Sequence, residues 1–394
     1  MSSAQRRGLI NGTIAAVATF AIGSAVVAVT SNGDDDGGAT GSPTPSVPAS
    51  PTPACDPTWE VVPSADPGEA PTTLLGVVAV TASEAWAVGG IGTPDAPTAV
   101  AIQHWNGTSW TAVEGPSPGT IVNELLSVDA SEPNDVWAVG RTSIGSGDDP
   151  LVLRFDGTEW AEVAIPDEVD GVLTSVAAIA PTDVWAVGFV GDPAASLERA
   201  LVLHWDGAAW STVEVNRAIG GGKAALLDIE WVSPTDLWVV GYHHFQPLIL
   251  RFDGSAWSRS PTEVRGTTNA IEAFATSEVW TVGDPIERFD GTTWTAAEIV
   301  RPGADLVDVA AVAVADIWAV GSRPAEDVTQ LRAAIYRYSG RRWVPVDGPG
   351  VAGSEALNAV DALPDGTVFA VGTKDVELER RTLAIVGSSC PLLG

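Results

Sequence analysis

The residues in this chain that could do chemistry are few. Its 394 residues include only four histidines. Two of them stand together in Tyr242-His243-His244, the first place to look for a metal or a ligand. Neighbouring imidazoles rarely share one ion unaided, and no cysteine or clear carboxylate set accompanies them. A ligand contact therefore fits this stretch better than a metal centre. Acids form a second group: Asp95, Asp148, Asp149, Asp192, Glu198, Glu326, Asp327, Asp375, Glu377 and Glu379. Such a set suits a cationic ligand, calcium or a basic protein patch, against the plainer reading of solvated loop charge. The candidate ligand contacts are accordingly Tyr242, His243, His244, Asp148, Asp149 and Asp192. No catalytic residue and no metal ligand is assigned, and calcium is the one cofactor the acids would suit.

Other stretches look chemical and fail on spacing. Gly220-Gly221-Gly222-Lys223 lacks the Ser/Thr and the strand-to-helix setting of a phosphate loop, and reads as a flexible connector. Asp34-Asp35-Asp36 lacks the alternating ligands and closing Glu of a calcium loop. No Gly-x-Ser-x-Gly elbow is present. His104 and His204 fall in a slot held elsewhere by Arg154, Arg251, Arg288 and Arg337, which makes them repeat residues. The formal net charge is −30, with 20 Lys and Arg against 50 Asp and Glu. That balance excludes nucleic-acid backbone binding, which needs a basic footprint.

The elements that would position these residues come from a repeat. Asp135-Val136-Trp137-Ala138-Val139-Gly140 recurs with its aromatic at Trp86, Trp137, Trp185, Trp238, Trp280, Trp318 and Phe369. Twelve residues before the aromatic, Leu recurs at 74, 125, 173, 226, 306 and 357, with an aliphatic three residues later; the fifth copy is short there. A second phrase, Asp156-Gly157-Thr158-Glu159-Trp160, supplies a hairpin turn in which glycine provides the positive φ. One unit reads as four strands, in the second copy roughly 125–130, 136–140, 151–155 and 160–165. Periods of this length made of four strands build a β-propeller.

On these residues the chain resembles the kelch and galactose-oxidase-like propellers. Trp86-Ala87-Val88-Gly89-Gly90 matches their aromatic-Val-Val-Gly-Gly strand, and Asp56-Pro57-Thr58-Trp59 is close to their Tyr-Asp-Pro-x-Thr-x-x-Trp hairpin. The other six copies lack the second glycine, and Asp-Gly mostly replaces Asp-Pro. The resemblance implies fold and repeat type over residues 55–394. Galactose oxidase needs Tyr and His copper ligands and a Tyr–Cys crosslink, which three tyrosines and two otherwise employed cysteines do not supply. The sialidase box is shifted relative to Asp-Gly-x-x-Trp.

The hairpin Trp appears at 59, 110, 160, 210, 257, 294 and 343, so the first precedes any copy of the other phrase and the last unit ends without one. The N-terminal strand is therefore expected to complete the seventh blade and close the ring. Cys55 and Cys390 flank that closure, and in an exported chain a disulfide between them is expected. Residues 1–30 carry Arg6-Arg7 and an apolar run from Gly8 to Val29, read as a retained signal-anchor or, alternatively, a signal peptide cleaved near Val26-Val27-Ala28. Residues 31–54 form a disordered Ser/Thr/Pro/Gly/Asp-rich stalk.

The expected fold is thus all-β, a seven-bladed propeller of four-stranded blades preceded by one N-terminal hydrophobic helix. Loops joining first to second and third to fourth strands are short and uniform. The opposite set, at 91–98, 141–150, 189–199, 215–225, 322–330 and 373–381, is long and varied, which marks that face for binding. The functional expectation is a membrane-tethered or secreted monomeric binding module for an extracellular protein, glycan or envelope component. The alternative is a propeller hydrolase or lyase acting on extracellular carbohydrate with acidic loop residues at the variable face. A deep axial pocket with converging, perturbed acids or histidines would point to the enzyme, and a broad shallow face to the binder.

Overall fold

The structure, a computed structural model, describes residues 57–66, 70–145, 147–191, 198–263, 265–325, 330–351, 353–376 and 379–389. The N-terminal segment and stalk, Cys55, Cys390 and Asp192 lie outside the described residues. Among those described, no helix is long and apolar enough to cross a membrane.

Seven antiparallel sheets of four strands surround an axis. In the second blade they are β6 (Val122–Glu132), β7 (Asp135–Gly145), β8 (Gly147–Phe155) and β9 (Trp160–Glu162), innermost to outermost. Six blades follow this sequence order. The seventh is assembled from both ends of the ring, as β26 (Glu355–Ala362), β27 (Thr367–Val376), β28 (Glu379–Ser388) and β1 (Thr58–Val61). Trp59 lies opposite Gly387 in that last pairing, as the count of hairpin tryptophans requires. Closure by the N-terminal strand leaves no sheet edge open at the seam.

Each position of the repeated phrase has a physical cause. The aromatic of one blade's second strand meets the outer-strand tryptophan of the next blade edge to face. The pairs are Trp86–Trp160, Trp137–Trp210, Trp185–Trp257, Trp238–Trp294, Trp280–Trp343, Trp318–Trp59 and Phe369–Trp110, with centroids 5.3–6.0 Å apart and planes at 71–86°. Edge-to-face pairing matches a ring's positive edge to its neighbour's negative face, beyond the area it buries. The two phrases therefore interlock blades, not strands within one blade. The closing glycine has an equally uniform reason. A Cβ on Gly140 would lie 2.0 Å from the Glu124 carbonyl oxygen, where the inner strand bulges toward it, and Gly89, Gly188, Gly241, Gly283, Gly321 and Gly372 meet the same obstacle at 1.9–2.2 Å.

The acid at the head of the phrase pairs with the third-strand cation, which lies over the phrase's own indole. Arg154 bonds Asp135 and sits 4.8 Å from the Trp137 ring; Arg251, Arg288 and Arg337 repeat this with Asp236, Glu278 and Asp316. His204 stands in for arginine against Asp183, stacked on Trp185 at 4.2 Å, and His104 takes the slot beside Trp86, 4.0 Å from Glu84. The seventh blade replaces the set together: Thr367, Phe369 and Val386 stand where acid, indole and cation stand elsewhere.

Two expectations need correction. Much of the long, varied loop set is not loop: residues 141–145 and 147–150 extend β7 and β8 outward as a two-stranded arm, and residues 91–93 and 96–98 do the same in the first blade. Both arms continue the ladder of the strands beneath them, with irregularities at Ile91/Gly92 and Thr142/Gly145, and the Gly and Pro in these stretches read as loop in the sequence. One helical turn, α1 (Asn216–Ile219), also interrupts the otherwise all-β domain.

Candidate functional site

Three groups of side chains compete for a functional reading: the axial channel, the mouth above it, and the hairpin tips of the varied face.

The inner strand of every blade has one edge facing the axis, and its backbone groups have no further strand to pair with. Side chains of neighbouring blades satisfy them, as buried backbone groups demand. Asp129 accepts from Ala178 N at 2.7 Å in the next blade, Asp228 from Ile271 N at 2.9 Å, Asp308 from Val360 N at 2.8 Å and Asp361 from Ala79 N at 2.7 Å. Their second oxygens accept from the following residue's own N–H, as Asp361 does from Ala362 at 2.7 Å. Carbonyls are answered in the same way: Asn269 donates to Leu306 O and Asn358 to Leu74 O, both at 2.7 Å, and Thr174 to Leu226 O at 2.9 Å.

These four aspartates, with Glu230 and Glu272, line a cavity of about 280 Å³ on the axis. No lysine or arginine shares that lining. Burial raises all six carboxyls: Asp361 is pushed up to about 7 and Asp129 to about 6, with bonds from backbone N–H groups pulling the other way. Asp228, Asp308, Glu230 and Glu272 move in the same direction for the same first cause, and repulsion from Glu272 adds to the rise at Glu230.

Sequence reasoning missed this ring. The signal was available as acids inside otherwise apolar inner strands, two or four residues after the recurring leucine. The deep, perturbed axial pocket named above as the mark of an enzyme is therefore present. Its cause is structural, because the aspartates are committed to backbone donors. No histidine lines it. Among the described residues, no three His, Cys, Asp or Glu side chains form a set that could hold a metal ion.

Above the ring, Leu75, Leu126, Val307 and Asn358 form a collar shared with a second cavity of about 280 Å³ on the varied face. Glu124, Arg141, Glu355, Asp375 and Arg380 are among its lining residues. Arg141, 2% exposed, is clamped between Glu124 at 2.8 Å and Asp148 at 3.3 Å. Asp148 thus backs the arginine of the mouth, while Asp149 is exposed. Burial raises the Glu124 carboxyl, and the Arg141 guanidinium opposes that rise.

Tyr242, His243 and His244 lie on the fourth blade's hairpin and do not meet Asp148 or Asp149 in any hydrogen bond or ion pair among the described residues. The Tyr242 hydroxyl donates to buried Glu198 at 3.0 Å, and burial pushes that phenol up. His243 Nε2 lies 2.7 Å from the Gly221 carbonyl oxygen. The glycine connector places Gly220, Gly221 and Gly222 at positive φ of 93°, 75° and 91°, with Gly222 passing close beneath the His244 side chain.

The hairpin tips hold what the sequence reading overlooked. Among the described residues the exposed large hydrophobic side chains are Ile144 at 69%, Phe245 at 71%, Val314 at 50%, Leu331 at 40% and Val376 at 44%. All but Val314 sit at the outer ends of second-to-third-strand hairpins, in blades two, four, six and seven. A lone apolar residue in a polar or glycine-flanked tip was the available signal.

No family model matches the chain, and no curated protein matches it. Solved structures do. YCF48 bound to D1 peptide is 14% identical, with a TM-score of 0.57 over 85% of this chain and 97% of that one. A catalytically inactive virginiamycin B lyase from Staphylococcus aureus with quinupristin is 14% identical, with a TM-score of 0.59 over 85% and 100%. The propeller domain of Swd1 from Myceliophteria thermophila is 11% identical, with a TM-score of 0.52 over 84% and 100%. At these identities the likeness is one of fold: the chain is similar to seven-bladed propellers of differing occupation.

Proposed function

We propose that this propeller is a non-catalytic binding module, exported on its stalk, whose hairpin face docks a protein segment carrying apolar and basic side chains. The observation that carries the reading is that Ile144, Phe245, Leu331 and Val376, the exposed large apolar side chains described on this face, all stand at hairpin tips, on blades two, four, six and seven. They offer separate apolar contacts on hairpins of varied length carried by a rigid ring, where binding residues are commonly found. Asp148, Asp375 and Glu379 on these hairpins are paired with Arg141, Arg380 and Arg381, which leaves Asp149 and Asp95 as exposed acids of the face; with those and a formal net charge of −30 over the chain, the complementary partner is basic. That YCF48 is described with a bound peptide makes a peptide ligand a natural use of the fold. The kelch-like character of the repeat belongs to the same proposal: it concerns how blades are built and leaves the ligand to the hairpins.

Against the hydrolase or lyase alternative stands the engagement of the channel aspartates with backbone donors. A general acid or base needs a carboxyl free to meet its substrate. The full-length protein should bind basic–apolar peptides, more weakly as salt rises, and should leave the oligosaccharides of a glycan array uncleaved. Peptide binding of acidic and basic sequences alike, or turnover of any glycan, would sink the proposal.

A further inference from the structure

One hairpin breaks the rules that hold elsewhere. In the fourth blade β15 (Asp236–His243) turns into β16 (Gln246–Phe252) through His244-Phe245 alone. Both residues take left-handed backbone, at φ +50° and +62°. Two-residue hairpin turns of that kind are filled by Asn-Gly or Gly-Gly, because a Cβ is disfavoured there. Here the second place holds a phenylalanine that is 71% exposed. Strain and an apolar surface are both unfavourable, and nothing in the blade's packing requires either. Such an outlier points to function.

The tip is also braced from below. His244 N donates to the Lys223 carbonyl oxygen at 3.0 Å, and His243 holds the Gly221 carbonyl oxygen. The Lys223 ammonium lies 3.9 Å from the centre of the Phe245 ring and 3.3 Å from Glu198, whose other oxygen accepts from Tyr242. Glu198 is 2% exposed, so its charge is fixed in place and fixes the lysine. A Cβ on Gly222 would come within 2.5 Å of His244 Nε2, which is why glycine passes beneath the tip. The result is an aromatic ring seated on a cation, with its opposite face turned to solvent. The ammonium already draws on the ring's negative quadrupole, so the outer face attracts an apolar contact better than a second cation.

Resting on the docking reading above, we infer that Phe245 is the pre-organised anchor of the hairpin face. It receives an aliphatic or aromatic side chain of a partner polypeptide whose flanking basic residues meet the exposed Asp149 and Asp95 of the same face. Holding the ring in its bound position beforehand removes an ordering cost from association.

The probe is a displayed random dodecapeptide library panned on the full-length protein. Enriched peptides are expected to combine an apolar residue with Lys or Arg. Their affinity should fall at least about tenfold in Phe245→Ala, the size of loss that marks an anchoring residue. The double variant His244→Asn/Phe245→Gly installs the turn's preferred residues. It should lose binding equally while melting no lower than wild type, which separates lost contact from lost fold. Enriched peptides that bind both variants within about twofold would overturn the anchor and leave the docking reading standing, since anchors concentrate binding energy. No enrichment, or enrichment of acidic peptides, would overturn both. A concentration-dependent dimer abolished by Phe245→Ala would overturn the inference in favour of a second copy of this chain.

Discussion

The girdle of the ring and the tips of its hairpins treat aromatic residues in opposite ways. In the girdle seven aromatics each meet an indole of the next blade, and Trp137, Trp318 and Phe369 have no exposed surface at all. At the tip of the fourth blade one phenylalanine stands in solvent on strained backbone. Repetition accounts for the first, because each blade needs the same contact with its neighbour. The second occurs once, so the blade's architecture does not call for it. Where a costly feature repeats it is scaffold, and where it is singular it is a candidate for function.

The sharpest way to separate the two regions is to truncate one aromatic in each. Trp137→Ala removes a fully buried indole and should cost about 3–5 kcal/mol in chemical denaturation, from lost transfer energy and the cavity left behind. Phe245→Ala should lower the same midpoint by no more than about 1 kcal/mol, the worth of the lost Lys223 contact. Equal costs would erase the distinction.

Next in size is the ion pair under the girdle. Asp316 is fully buried and Arg337 donates to both its oxygens, at 2.6 and 2.8 Å. Arg337→Val alone strands a buried carboxylate and should cost about 3 kcal/mol. Adding Asp316→Thr copies the pair found in the seventh blade and should recover most of that loss, to within about 1 kcal/mol of wild type, since removing both partners spares the unpaired charge. A double variant no better than the single one would show that the seventh blade's exchange depends on its Phe369 as well.

The girdle was legible in the chain and the tips were not, for identifiable reasons. The Trp-Ala-Val-Gly phrase and the Asp-Gly turn repeat often enough to give strand count, blade count and the closing role of Trp59. Spacing along the chain does not say which indole meets which, so the contact of Trp86 with Trp160 rather than with its own blade's Trp110 needed the three-dimensional ring. The channel acids escaped because the same inner-strand places hold Gly76, Ser127, Ser175, Asp228, Ala270, Asp308 and Ala359, a set with no shared chemistry. What unites them is the edge they border, a property of the assembled ring. Tyr242, His243 and His244 drew notice in the sequence for their titratable side chains. The residue they support, Phe245, was passed over because an apolar side chain in a hairpin offers no titratable group to notice.

The channel makes the stability of the ring depend on pH. Asp361 and Asp129, pushed up to about 7 and about 6 by burial, hold protons in the folded ring that an unfolded aspartate releases near its usual value of about 3.9. Across that interval the folded state binds more protons, so stability falls as pH rises and levels off above the folded values. The expected loss between about pH 5 and pH 8 is on the order of a few kcal/mol, part of it from mutual repulsion of surface acids. Asp361→Asn isolates the channel's share. Its folding should be weaker at low pH, where one backbone N–H loses its acceptor, and its stability should change less over the same range. A curve parallel to wild type would mean that Asp361 does not titrate in this window. Peptide binding at the tips should be unchanged by Asp361→Asn, since that carboxyl lines the axial channel and not the hairpins.

The smallest expected effect tests the tips most directly. Replacing His244-Phe245 by Asn-Gly relieves two left-handed residues, a strain of roughly 1–2 kcal/mol each. The more flexible glycine returns up to about 1 kcal/mol of that through the entropy it loses on folding, and the Lys223–Phe245 contact, worth about 0.5–1 kcal/mol, disappears. The balance is a gain of about 1 kcal/mol, to be read as a raised denaturation midpoint. A stability optimum would therefore have no phenylalanine at this turn, whereas Trp137 has no replacement that the girdle would accept without loss. If the double variant is instead destabilised, the Phe245 ring is holding Lys223 and Glu198 in place for the sake of the blade, and the tip belongs with the scaffold after all.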